Sequence, residues 1–164
     1  MKNLIEDWKS RKGRQKKQHR KFIQKLKRHR GKHLDRLAED IHERVFEKLD
    51  CLDCANCCSS IPPIVNKTDA NRIAKYLGMK IGEFERKYLT IDEDEDVVMN
   101  QSPCPFLEQD NRCQIYEVRP KACREYPHTD GRQFSQKLSY HAPNAQYCPA
   151  SFQILEEMMR SVPT

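Results

Sequence analysis

Eight cysteines punctuate a chain of 164 residues. Cys51, Cys54, Cys57 and Cys58 crowd into the stretch CLDCANCC, and Cys104, Cys113, Cys123 and Cys148 follow in the second half. Thiols at this density suit a disulfide framework, a redox couple, a metal ion or an iron–sulfur cluster. A C-x2-C turn brings two sulfurs to one side, and a shell of four sulfurs suits tetrahedral zinc or an iron–sulfur cluster. Eight thiols would fill two such shells. Cys57 and Cys58 are neighbours, so in an extended or turn backbone their side chains diverge. Cys58 is then expected in a second centre, as support to the first, or as a free reactive thiol. Burial as small hydrophobes suits Cys113 or Cys148 taken singly better than it suits the clustered run.

Several familiar cysteine motifs do not fit. Haem attachment needs His after C-x-x-C, and here Cys58 follows Cys57. A thioredoxin-type pair needs a βαβ setting, and a C2H2 finger needs paired His at short spacing; neither is offered. The ferredoxin run C-x2-C-x2-C-x3-C-P matches through its first three cysteines only. Cys-Pro does occur at Cys104-Pro105 and Cys148-Pro149, which tilts the reading towards iron–sulfur with zinc close behind.

The compartment bears on the same choice. The opening MKNLIEDWKSRKGRQKKQHRK lacks the apolar run of a secretory leader, and no stretch approaches the roughly 18 apolar residues of a transmembrane segment. The expectation is a cytoplasmic protein with reduced thiols, which favours metal over disulfide. Leu, Ile, Val and Phe make up only about a fifth of the chain, so a metal staple would help a thin core.

Elements must position these thiols. Leu34, Leu37, Ile41, Val45 and Leu49 recur at helical spacing and lead into Cys51. Phe22, Ile23 and Leu26 extend that stripe backwards, although Gly31 weakens the join. Pro62 and Pro63 stop any helix after the cysteine run. Thr68 or Asn66 caps the next helix, with Ile73, Tyr76 and Leu77 inward and Gly78 as its stop. A short helix is expected over 82–88, burying Phe84 and Tyr88. The run DEDED at 92–96 reads as a solvated acidic loop, without the alternating ligands and Gly of a calcium loop. VVMN and RCQIY are expected as short strands around an Asp110-Asn111 turn. Residues 151–159 read as a last helix, with Phe152, Leu155 and Met159 inward.

Charge divides the chain. Residues 1–33 carry 14 Lys or Arg against 2 Asp or Glu, and residues 34–164 carry 16 against 22. The domain expectation is a basic N-terminal arm, 1–33, and a cysteine-cluster metal-binding domain, 34–164, that includes its lead-in helix. Between Lys9 and Lys21 no large apolar residue occurs, so that stretch is expected to be solvated, disordered or frayed helix, with Trp8 a loose anchor. The arm's charge suits nucleic acid or an anionic surface. With only Trp8 and Phe22 to stack on bases, a solvated arm or a clasp on the acidic remainder stands beside that reading.

The motif CPFLEQDNRCQIYEVRPKACREYP at 104–127, with CLDCANCC before it, resembles the YkgJ-type cysteine cluster proteins, also known as the CxxCxxCC zinc- or iron-chelating domain family. The resemblance spans roughly residues 51–150. Cys51, Cys54, Cys57 and Cys58 match the leading cluster, and Cys104, Pro105, Phe106 and Leu107 match the CPFL element. Cys113, Ile115, Tyr116, Arg119, Pro120, Cys123, Arg124, Tyr126 and Pro127 match the third element, and Cys148 is a looser trailing match. The resemblance implies metal chelation. A related group is associated with methylation of flagellin lysines, yet this chain lacks the C-x3-C-x2-C of radical enzymes and any Gly-rich cofactor loop, so no methyl-donor site is visible.

Arg119, Arg124 and Tyr126 flank two of the cysteines. Guanidinium groups there would offset a thiolate-rich centre or hold an anionic ligand, or else pack and hydrogen-bond a loop-rich fold. His128 and His141 lie near Cys123 and Cys148 in sequence; each is a stand-in ligand or an ordinary surface histidine. The expected fold is mainly α: a small, irregular, metal-stapled domain with short β-hairpin elements. The expected function is chelation of an iron–sulfur cluster or zinc by all eight cysteines, with redox or modifying activity left open. The alternative is a structural-zinc, nucleic-acid-associated module that uses its basic arm.

Overall fold

The computed structural model describes residues 3–29 and 31–163. In chain order these form α1 (Leu4–Leu26), α2 (Gly31–Phe46), a 3-10 turn (Cys51–Asp53), α3 (Asn56–Ser60), α4 (Lys67–Tyr76), α5 (Ile81–Tyr88), β1 (Leu89–Ile91) and β2 (Val97–Met99). A second 3-10 turn (Tyr116–Val118), α6 (Lys121–Glu125), α7 (Gln133–Gln136), α8 (Leu138–Asn144) and α9 (Pro149–Ser161) follow. The fold is mainly α with one two-stranded antiparallel sheet. No helix among the described residues is long and apolar enough to cross a membrane. The chain packs as two compact units, Met1–Cys51 with Pro127–Thr164, and Leu52–Tyr126.

In the first unit α1, α2 and α9 share one apolar core that includes Leu26, Leu34, Ile41, Phe152 and Leu155. The α2 stripe follows the sequence reading, with Leu34, Ile41 and Val45 buried and Leu37 half-buried. α1 ends at Leu26 and α2 begins at Gly31, so the two do not merge. α9 starts on Pro149, whose missing N–H suits a first helical position. Met158 rather than Met159 is fully buried in it.

The stretch from Lys9 to Lys21 is ordered helix. Its inward positions are polar, so apolar periodicity passes over them. His19 is wholly buried, and its Nε2 lies 2.8 Å from Glu156 Oε1. Arg11 donates to Glu156 Oε2 at 2.5 Å and to Asp7 at 2.9 Å. Burial pushes the Glu156 carboxyl up, and the hydrogen bonds from His19 and Arg11 more than reverse it, leaving it below the ordinary range. Trp8 is a firm anchor: it is buried, and its indole N–H donates to the Ala145 carbonyl at 2.9 Å.

The second unit has its own core of Val65, Ile73, Phe84, Met99, Phe106 and Ile115. Asn66 caps α4 in a capping box with Asp69. Gly78 takes a left-handed φ of 69° one residue past the C-cap Leu77, the place where glycine pays no Cβ penalty. Tyr76 is exposed, because Ala70, Ile73 and Ala74 fill the inner stripe. The hairpin differs from expectation. β2 pairs with β1, Leu89 opposite Met99 and Ile91 opposite Val97, and the acidic run is its turn. Asp92 Oδ1 accepts from the N–H of Asp94 and of Asp96, each at 2.9 Å, which closes that turn. RCQIY is no strand; it makes one bridge, Cys113 to Leu107, and then enters the second 3-10 turn.

Candidate metal centre

None of the eight cysteines is joined in a disulfide. Four come from separate segments of the second unit. Cys58 lies on α3, which begins after Ala55 in a left-handed conformation with φ 48°. The N–H of Cys104 donates to the Cys58 carbonyl at 2.8 Å, which ties the CPFL segment to α3. Phe106, buried to 2% exposure, pins that segment into the core. A tight loop then returns the chain to Cys113: Glu108 N–H donates to Arg112 O at 2.8 Å and Gln114 N–H to Phe106 O at 2.9 Å. Ile115 is buried in the core against which Cys113 packs, and Pro120 precedes the short helix α6 that carries Cys123.

These four thiols sense one another. Burial pushes the Cys123 thiol up to about 12, and Cys58, Cys104 and Cys113 push in the same direction. Cys123 is exposed as a residue, so we read this rise as crowding of the thiol on its inner side rather than full enclosure. Cys104 and Cys113 are also raised, by burial first and then by their sulfur neighbours. Cys58 goes the other way, down to about 7, because a hydrogen bond from the Cys57 side chain favours its thiolate against the opposing effect of burial. The expected divergence of Cys57 and Cys58 presumed a non-helical backbone. On α3 the two are about 100° apart, close enough for their thiols to meet.

Among the described residues, no three His, Cys, Asp or Glu side chains converge closely enough to hold an ion as they stand. Cys58, Cys104, Cys113 and Cys123 are thus neighbours within electrostatic reach, not a closed cage. Their chemistry fits a soft cation: four sulfurs, no oxygen ligand required, and the count zinc or iron takes. The other four cysteines are placed differently. Cys57 adjoins Cys58, and Cys54 immediately precedes the Ala55 turn. Cys51 is exposed in the first 3-10 turn. Cys148 belongs to the first unit and caps α9, its sulfur accepting from Ser151 N–H at 3.4 Å.

Arg119 lies beside the group, and its charge pulls the Cys113 and Cys123 thiols down. Its guanidinium donates to the Tyr116 carbonyl at 2.6 Å and stacks over the Tyr116 ring at 4.0 Å. Arg124 donates to the Arg119 carbonyl at 3.5 Å, and the Tyr126 N–H closes α6 on Ala122 O at 3.1 Å. Two residues that the sequence did not single out hold this segment. Arg72 on α4 donates to the carbonyls of Val118 at 3.2 Å and Arg119 at 2.9 Å. Asp69 accepts from Arg72 at 2.7 Å and from the Lys121 N–H at 3.2 Å. The only sequence sign of this was the capping pattern at Asn66.

The two histidines weighed as stand-in ligands lie in the first unit. His128 sits at φ 65° with Nδ1 3.1 Å from Gln133 Oε1. His141 is wholly buried rather than on the surface. It stacks on Phe134 at 4.2 Å, and its Nε2–H donates to the Phe134 carbonyl at 2.7 Å.

Residues 50–149 match the CxxCxxCC family, described as "Putative zinc- or iron-chelating domain". A relative from Methanocaldococcus jannaschii, named Uncharacterized protein MJ0661, is 32% identical over 105 residues, which cover 60% of this chain and 55% of the relative. The chain therefore spans about half the length of that relative. No solved structure matches. With the matched segment running from just before Cys51 to just after Cys148, the chain belongs to the CxxCxxCC family, and metal binding is the property that membership brings.

Proposed function

We propose that the chain binds zinc or iron at a thiolate centre held by Cys58, Cys104, Cys113 and Cys123, and that this centre is chiefly structural. The observation that carries the reading is that four thiols from four segments of the second unit lie within electrostatic reach of one another. Crowded thiols resist ionisation together; a bound cation removes that resistance and favours all four thiolates. Cys58, lowered to about 7 by the hydrogen bond from Cys57, offers a thiolate near neutral pH. Arg119 offsets the negative charge of a four-thiolate shell from the side of Cys113 and Cys123. The bound metal supplies cross-linking of these segments, and electron transfer if it is an iron–sulfur cluster. The structural emphasis rests on Arg119 and Arg124, which both donate to backbone carbonyls of their own loop. Cys54 and Cys57 adjoin the centre as further thiols, and Tyr126 supports α6 from its C-terminal end.

The test is metal analysis with a visible spectrum after anaerobic purification, on wild type and on single Cys→Ser variants. Stoichiometric zinc or iron in wild type, lost in Cys58→Ser, Cys104→Ser, Cys113→Ser and Cys123→Ser but kept in Cys148→Ser, is the expected pattern. Absorption in the visible assigns an iron–sulfur cluster, and its absence with bound zinc assigns zinc. Folded wild-type protein without either metal overturns the reading.

A further inference from the structure

The strongest charge feature outside the centre is the outer face of α1. All large apolar side chains from Trp8 to Leu26 turn into the first unit's core. Arg14, Lys16, Lys17, Arg20 and Lys21 are exposed, as is Arg28 just beyond the helix, and none of the six forms a salt bridge among the described residues. Arg14, Lys17 and Lys21 follow helical spacing along one side of α1, over about 10 Å at 1.5 Å per residue, and Arg28 lies just past its C-terminal end. That length spans about three phosphates of one nucleic-acid strand at 3.4 Å each.

The exposed face of α1 is self-repelling. Lys16 with Arg20 and Lys17 with Lys21 are like charges one turn apart, an arrangement that weakens an isolated helix. α2 shows no such segregation, since Arg36 and Arg44 share its exposed surface with Glu39, Asp40 and Glu43. A shallow hollow of about 220 Å³, lined by Gln18, Lys21, Phe22, Lys25 and Met159, gives the cationic face a concave edge.

We propose that the outer face of α1 docks on the phosphate backbone of duplex nucleic acid without reading its sequence. The charge fits a polyanion. A bilayer fits poorly, because an interfacial helix needs a free apolar face and the apolar residues of α1 are buried in the protein. A single strand fits poorly because no aromatic side chain stands on the face to stack on bases. Backbone contacts position a protein on a duplex without carrying sequence information.

The experiment is fluorescence anisotropy of the full chain with labelled 20-base-pair DNA and RNA duplexes of unrelated sequence, from 50 to 200 mM NaCl. Each phosphate contact steepens the log–log salt slope by about 0.9, so Arg14, Lys17, Lys21 and Arg28 give a slope of about −3.6 and roughly a 150-fold loss of affinity across that range. Binding by both duplexes, indifferent to sequence, supports the proposal, and the tighter of the two identifies the nucleic acid. A combined Arg14→Gln, Lys17→Gln, Lys21→Gln, Arg28→Gln variant should flatten the slope while keeping its far-UV circular dichroism. No binding at 50 mM NaCl, a wild-type slope shallower than −1, or unchanged binding by the folded variant overturns it. So does binding to phosphatidylserine vesicles without binding to either duplex.

Discussion

Asp69→Ala should loosen the second unit from a position that bears no sulfur. Asp69 is 2% exposed, and its two oxygens serve three donors. Oδ2 accepts the Asn66 N–H at 3.2 Å, which completes the α4 capping box. Oδ1 accepts from Arg72 at 2.7 Å and from the Lys121 N–H at 3.2 Å, at the start of α6. Loss of a cap costs about 1 kcal/mol. Loss of hydrogen bonds to a buried charge costs about 1.5–3 kcal/mol. Arg72 is 30% exposed, so water recovers part of its charge, and a total of about 3 kcal/mol follows. Urea unfolding followed by far-UV circular dichroism measures it. Arg72 also holds the carbonyls of Val118 and Arg119, so the variant should release bound metal to a chelator faster than wild type. Asp69→Asn keeps one acceptor oxygen and should lose about half as much. An Asp69→Ala protein within 0.5 kcal/mol of wild type (about a tenth of a small domain's stability) would refute the clamp.

Two further predictions concern the first unit. His141 is pushed down to about 4, by burial first and by His128 in addition, so the folded protein keeps it neutral where the unfolded chain, near 6.5, takes up a proton. Stability from this site is full above pH 6.5 and falls by about 3 kcal/mol as pH drops towards 4; His141→Gln should remove that slope in urea titrations at stepped pH, and an unchanged slope would contradict the assignment. Trp8→Phe keeps the ring in the core but strands the Ala145 carbonyl, so thermal melts should show a loss of about 1–2 kcal/mol, and no shift would mean that the hydrogen bond is immaterial.

What the sequence revealed, and what it hid, follows from how local each determinant is. The α2 stripe, the Asn66 cap and the Gly78 stop are contacts within one element, and pattern reading finds them. The helix through Lys9–Lys21 escaped because Arg11 and His19 face inward onto Glu156, a partner more than a hundred residues away. The hairpin escaped in part because Leu89–Ile91 is a short run that directly continues α5. At the site, cysteine spacing made the thiols legible as a group. It could not sort Cys148, whose sulfur caps a helix in the first unit, from Cys123, which lies with its fellow thiols. Nor could it reveal Asp69 and Arg72, whose partners lie about fifty residues on. His141 near Cys148 read as a surface residue because sequence proximity says nothing of the ring stacked beneath it.

X-ray absorption at the metal edge tests the central claim most directly, because it counts the atoms bound to the metal. The account predicts a shell of about four sulfurs at about 2.3 Å, with no imidazole signal, falling to three sulfurs or to loss of metal in Cys104→Ser. A shell of nitrogen and oxygen, or an unchanged sulfur count in Cys58→Ser, Cys104→Ser, Cys113→Ser and Cys123→Ser alike, would contradict it.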